Sequence, residues 1–174
     1  MEAYTAGQRV FGENKIQEMT DKWEAMPKDI QWHMIGHVQT NKVKYMAPYV
    51  TLIHAVDSIK LLKEINKQAL KNNRTINCLL QIKIAEEDSK FGLDKDRAIK
   101  LLNSDTFKAF KNVKVIGLMG MATNTDNQKQ IATEFDFIHS LYQNLTKVYP
   151  EFTTLSIGMS GDYPLAVERG STMV

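Results

Sequence analysis

The 174-residue sequence predicts an α/β fold built on a parallel sheet. Three observations carry that expectation. Short apolar or β-branched runs recur near 9–12, 30–35, 50–56, 75–84, 113–119, 152–157 and 171–174, with helically spaced segments between them. Strand–helix alternation of this kind is the pattern of α/β domains. The runs are mostly continuous, as in Val113-Lys114-Val115-Ile116-Gly117-Leu118-Met119, which suits strands covered on both faces. No Gly-, Ser- or Pro-rich linker interrupts the series, so residues 1–174 read as a single domain.

The elements follow in order. Residues 2–6 look like the end of a helix, and Ile30-Gln31-Trp32-His33-Met34-Ile35 reads as a strand. In 58–72, Ile59, Leu62, Ile65 and Ala69 share one helical face, with Asp57 or Ser58 placed as N-cap. Lys60, Lys63, Lys67 and Lys71, interrupted by Glu64, form the solvated side of that helix. Cys78 sits in an apolar run and reads as a small core residue rather than a thiol catalyst. In 127–148, Ile131, Phe135, Ile138, Tyr142 and Leu145 recur at steps of 4, 3, 4 and 3, a single apolar stripe closed by Pro150. A helix over 162–169 stops at Gly170, and the chain ends inside a strand at 171–174. Seven strand candidates fall one short of a closed (β/α)₈ barrel, which runs to about 250 residues. An open doubly wound sheet of about seven strands has the same pattern, and alternation alone does not separate the two.

Composition narrows the function. The chain is 43% hydrophobic and 24% charged, which excludes disordered and collagen-like classes. Its 22 basic and 20 acidic residues give a net charge of +2, too balanced to call for nucleic acid or a membrane surface. No stretch of eighteen apolar residues occurs, and Met1-Glu2-Ala3-Tyr4 lacks the basic and apolar regions of a signal peptide. With one cysteine, a reducing, cytoplasmic setting is expected.

In either α/β architecture ligands bind at the carboxyl ends of the strands. The richest such segment is Leu155-Ser156-Ile157-Gly158-Met159-Ser160-Gly161-Asp162. Glycines let backbone approach a ligand, serine hydroxyls donate hydrogen bonds, and the following helix presents open N–H groups. These suit a phosphate or another dianion. An ordinary βα turn with Asp162 as N-cap accounts for the segment equally well. Gly170-Ser171-Thr172 adds two hydroxyls, and in a barrel it would neighbour the first loop, where phosphate sites recur. His33 and His37 are spaced i, i+4, but they lie in and after a strand, so no shared helical face holds a metal. His54 suits a satisfied core histidine or a ligand contact, and His139 a structural position in a helix. There is no Gly-x-Ser-x-Gly elbow, Walker motif or dinucleotide fingerprint.

Seven segments in register carry a resemblance. They are Phe11-Gly12-Glu13-Asn14, Trp32-His33-Met34-Ile35-Gly36, Gln39-Thr40-Asn41-Lys42, Val56-Asp57-Ser58, Lys90-Phe91-Gly92, Gly117-Leu118-Met119, and Leu155 to Asp162 followed by Gly170-Ser171-Thr172. Together they resemble the YggS family of pyridoxal phosphate homeostasis proteins, in order from residue 7 to residue 174. The resemblance implies a single-domain TIM-type (β/α) barrel like the N-terminal domain of alanine racemase. It implies binding of pyridoxal 5′-phosphate without established catalytic turnover, and delivery of that cofactor to apo-enzymes that require it. By position, Ser156, Gly158, Met159 and Ser160 would form one side of the phosphate site, and Ser171 and Thr172 would begin the other. Asn14 and His33 would lie near the pyridine ring. A monomer or weak dimer is expected.

Two departures from the family pattern stand out. The family attaches its cofactor through a lysine at the end of a strand that would precede Glu2. It also continues the last strand into an Arg-Ile-Gly segment beyond Val174. The chain is therefore expected to be a truncated member, lacking the first strand and last helix. Lys15, Lys42, Lys83 and Lys90 lie near strand ends, and replacement of the family lysine by Lys83 or Lys90 requires both geometry and a depressed pKa. Two other functions remain as alternatives: a racemase or decarboxylase of the same fold, which needs a second domain to supply an opposing acid or base, and a remnant that binds nothing.

Overall fold

The computed structural model describes residues 1–86 and 91–174. Six strands form among them: β1 (Val10–Glu13), β2 (Gln31–Met34), β3 (Leu52–Val56), β4 (Ile76–Ile82), β5 (Val113–Gly120) and β6 (Thr154–Ile157). Their order in the sheet is β1-β2-β3-β4-β5-β6, so each strand adds beside the last. The helices are α1 (Glu2–Thr5), α2 (Ile16–Ala25), α3 (Val43–Met46), α4 (Ile59–Lys71), α5 (Lys95–Asn103), α6 (Asp105–Lys108), α7 (Gln128–Thr146) and α8 (Tyr163–Glu168), with a short 3₁₀ turn over Thr40–Lys42. Parallel strands need such crossovers, because a tight hairpin would reverse the chain.

The chain divides into two compact units. The first comprises Met1–Cys78 and Phe110–Lys114. Within it β1 pairs with β2 (Gly12 opposite His33) and β2 with β3 (Met34 opposite Ile53), all parallel. Trp32, Met34, Ile53, Leu62 and Ile65 are fully buried here. Ser58 supplies the N-cap of α4, its Oγ accepting from the Leu61 N–H at 3.3 Å. Leu62, Ile65 and Ala69 turn inward as their spacing predicts, and Lys60, Lys63, Lys67 and Lys71 stay in solvent. Within this unit the Asn112 Nδ2 donates to the Arg74 carbonyl at 2.8 Å.

The second unit comprises Leu79–Ala109 and Val115–Val174. Here β5 pairs with β6, Gly117 opposite Thr154 and Met119 opposite Ser156. The inner face of α7 carries Ile131, Phe135, Ile138 and Leu145, with Leu141 buried in the stripe and Tyr142 half-buried beside it. The Tyr142 hydroxyl has a carbonyl to reach, that of Phe152 at 3.4 Å, which explains why it stays nearer the rim than Leu141. The expected seventh run docks through one parallel bridge, Ser156 to Met173, rather than as a ladder. Cys78 is fully buried, and burial pushes its thiol pKa up, which fits the core position expected of it.

Candidate anion-binding site

In the second unit, β6 runs into a tight turn before α8. Gly158 makes the turn with φ +104°, a conformation that L side chains rarely adopt. A Cβ there would lie 2.7 Å from the Ala166 Cβ and 3.2 Å from the Tyr163 Cα, so the position admits glycine alone. Met159, Ser160 and Gly161 are exposed at the tip. Among the described residues, the N–H groups of Ser160 and Gly161 and the Ser160 hydroxyl have no hydrogen-bond partner. Asp162 stands at the N-cap position, but its carboxylate turns back and accepts from the Met159 N–H at 2.5 Å. The turn is closed further by the Asp162 and Tyr163 N–H groups, which donate to the Met159 carbonyl at 3.0 and 2.8 Å. The tip therefore presents open donors, while the neighbouring Met159 N–H is already held by an internal carboxylate.

Ser171 and Thr172 lie against the same strand, and their hydroxyls are engaged there. Ser171 Oγ lies 2.8 Å from the Ile157 carbonyl, 2.8 Å from that of Met173 and 3.4 Å from that of Leu155. Thr172 Oγ1 accepts from the Leu155 N–H at 2.8 Å. The two side chains fasten the 171–174 segment onto β6. Ser156, half-buried on β6, pairs with Met173 in the bridge. The structure thus gathers Ser156, Gly158, Met159, Ser160, Ser171 and Thr172 around one strand end, but with two distinct jobs. The 158–161 tip presents open donors, whereas 171–172 spends its hydroxyls on the fold.

The other two predicted residues belong to the first unit. Asn14 is exposed just after β1, and His33 is buried on β2. Sequence reasoning missed the partner of His33: His54 Nε2 lies 3.2 Å from His33 Nδ1, with both rings inside. Burial, with His33 beside it, pushes the His54 pKa down to about 3, and burial lowers that of His33 as well. The pair is neutral at physiological pH and shares one proton between the facing nitrogens. The signal was present in the apolar strand flanks of His54, but the register of β2 and β3 is what brings the rings together.

A buried carboxylate in the second unit was also missed. Glu134 of α7 accepts from the Thr123 N–H at 2.7 Å and the Thr123 hydroxyl at 2.6 Å, holding the loop that leaves β5. Lys83 stands one residue beyond β4 and is exposed, and Lys90 lies outside the described residues. Among the described residues no group of His, Cys, Asp and Glu has a metal-ligand arrangement, and no helix is long and apolar enough to cross a membrane.

The family model described as alanine racemase, N-terminal domain, matches residues 1–174. A pyridoxal phosphate homeostasis protein of Aquifex aeolicus is 38% identical over 175 residues, covering 99% of this chain and 76% of that protein. One from Vibrio alginolyticus is 34% identical over 179 residues, covering 100% and 76%. The structure of PipY from Synechococcus elongatus without PLP superposes with a TM-score of 0.91 at 32% identity, over 99% of this chain and 81% of that one. The PLP-bound form of PipY gives 0.84 at 31%, with the same coverage. An alanine racemase of Clostridium difficile shares the fold at a TM-score of 0.68 and 9% identity, over 92% of this chain and 41% of that one.

Proposed function

The chain belongs to the alanine racemase N-terminal domain family, among its pyridoxal phosphate homeostasis proteins, and from that premise we propose that it binds pyridoxal 5′-phosphate and holds it for delivery. The observation that carries the proposal is the Gly158–Asp162 turn. Gly158 lets the turn pack directly against Ala166 and Tyr163, where a Cβ would clash, and the tip so held offers two backbone N–H groups and a hydroxyl to a phosphate. That donor set fits a phosphate monoester, which accepts from several short donors at once. When bound, the cofactor supplies an aldehyde able to condense with an amine.

The residues of the chain divide the work. Ser160 and the Ser160 and Gly161 amides take phosphate oxygens. Asp162 yields the Met159 N–H as the phosphate arrives, since two anions do not share one donor. Ser171 and Thr172 hold the adjoining segment in place. Ser156 and Met159 line the same strand end. Asn14 and His33 are assigned to the ring on the family resemblance, His33 as a neutral imidazole fixed by His54. Turnover is not part of the proposal: the one carboxylate of the Gly158–Asp162 turn, that of Asp162, is occupied with its own backbone. The setting is cytoplasmic, and the recipients are apo-enzymes that need the cofactor.

The test is titration of the chain with pyridoxal 5′-phosphate and, separately, with pyridoxal. Saturable uptake of the phosphorylated form alone, lost in Gly158→Ala, supports the proposal. Equal affinity for both forms, or no saturable uptake, overturns it. Measurable racemisation or decarboxylation of amino acids by the loaded protein would replace the carrier reading with the enzymatic one.

A further inference from the structure

A cleft of about 220 Å³ opens in the first unit, where α2 begins and the loop after β2 passes over it. Its walls include Asn14, Gln17, His37, Gln39, Lys42 and Tyr45. The cleft is held by backbone packing. A Cβ on Gly36 would meet the Asn14 carbonyl oxygen at 2.2 Å, so glycine there lets the two loops touch directly. Ile16 and Val43, buried at the starts of α2 and α3, anchor the walls from below.

The charges around the cleft are unequally satisfied. Lys15 pairs with Glu18 at 3.0 Å, and His37 lies 3.8 Å from Asp57. Lys42 has no carboxylate at ion-pair distance among the described residues, and its ammonium sits 5.5 Å from the centre of the Tyr45 ring. The side-chain amides of Asn14 and Gln39 likewise make no hydrogen bond among the described residues. One uncompensated cation and two uncommitted amides thus converge on a concave surface. The four lysines of α4 are likewise exposed but lie outside the cleft, with Glu64 among them, 3.8 Å from Lys67.

We propose that this cleft binds a small hydroxylated anion, its carboxylate or phosphate on Lys42 and its hydroxyls on the amides of Asn14 and Gln39. The ammonium supplies the charge, and the amides both donate and accept, which matches an oxyanion next to a hydroxyl. The exposed Tyr45 ring lies beside the ammonium and is shared with Lys44, 5.0 Å from its centre. The cleft, about 220 Å³ and open to solvent, has room for a small metabolite. The proposal shares Asn14 with the pyridoxal phosphate reading, but its central cation, Lys42, belongs to no part of the anion turn.

The experiment is an amide NMR titration of the whole chain with inorganic phosphate and, in a second arm, with glycolate. Saturable shifts at the Gln17 and Gln39 side chains and at Tyr45 support the proposal, and the arm with the tighter response identifies phosphate or carboxylate as the group recognised. Lys42→Met should weaken the response about tenfold, whereas Lys71→Met, on the exposed face of α4, should leave it unchanged. No saturable shift at these residues in either arm, or an undiminished response in Lys42→Met, overturns it. Shifts confined to Ser160 and Gly161 would overturn this proposal while supporting the phosphate turn, so the two readings fail separately.

Discussion

Nε2 of His54 lies 3.2 Å from Nδ1 of His33, and both residues are buried. A second proton has no place between them. The unfolded chain takes protons on both rings near pH 6.5, while the folded chain holds His54 neutral down to about pH 3. Stability is therefore fully present above pH 6.5 and declines as pH falls toward 3. By pH 5 the loss from His54 is about 2 kcal/mol. Urea unfolding between pH 7.5 and 5 measures it, and His54→Gln should flatten the slope.

Gly158→Ala places a methyl against Ala166 in a backbone conformation that alanine resists. The expected cost is about 1–3 kcal/mol of stability. Binding of pyridoxal 5′-phosphate should fall at least about tenfold, or 1.4 kcal/mol, because the turn must open to relieve the clash. Ser160→Ala, at an exposed tip, should weaken binding without moving the melting temperature, which separates the ligand effect from the fold effect.

Asp162 competes with an incoming phosphate for the Met159 N–H. Asp162→Asn keeps an acceptor there but removes the like charge. Affinity for the phosphorylated vitamer should rise by up to roughly fivefold, the worth of a surface charge contact. Affinity for pyridoxal should not change. Parallel calorimetric titrations of the two vitamers read the difference directly.

The Thr123 N–H and hydroxyl both donate to one buried carboxylate, Glu134. Glu134→Gln replaces charge-assisted bonds with neutral ones and presents an NH₂ where an oxygen accepted. About 1.5–3 kcal/mol should be lost. Hydrogen exchange at Thr123 should accelerate far more than at Phe135, one residue away on the same helix.

The strand–helix alternation reads directly from sequence because each strand is an unbroken apolar run and α4 and α7 repeat at helical steps. The Ser58 cap and the stops at Pro150 and Gly170 are equally local, so they too can be read. The Gly/Ser turn after β6 is legible for the same reason: glycine and hydroxyl content are sequence properties. What Ser171 and Thr172 do with their hydroxyls is not, because that depends on β6 backbone groups fourteen to seventeen residues away. Asp162 reads naturally as a forward-facing helix cap, whereas in the structure its carboxylate turns back to the Met159 N–H. The His33–His54 contact and the Lys42 cleft depend on the spatial approach of separate segments, which no local pattern encodes.

The single cysteine offers a clock. Cys78 has no accessible surface and an elevated thiol pKa, so an alkylating reagent has nothing to attack in the intact molecule. Every labelled molecule must first have exposed the β4 strand. The modification rate in excess reagent then reports how often that strand comes open, with no engineered probe, and any compound that tightens the surrounding core will slow it.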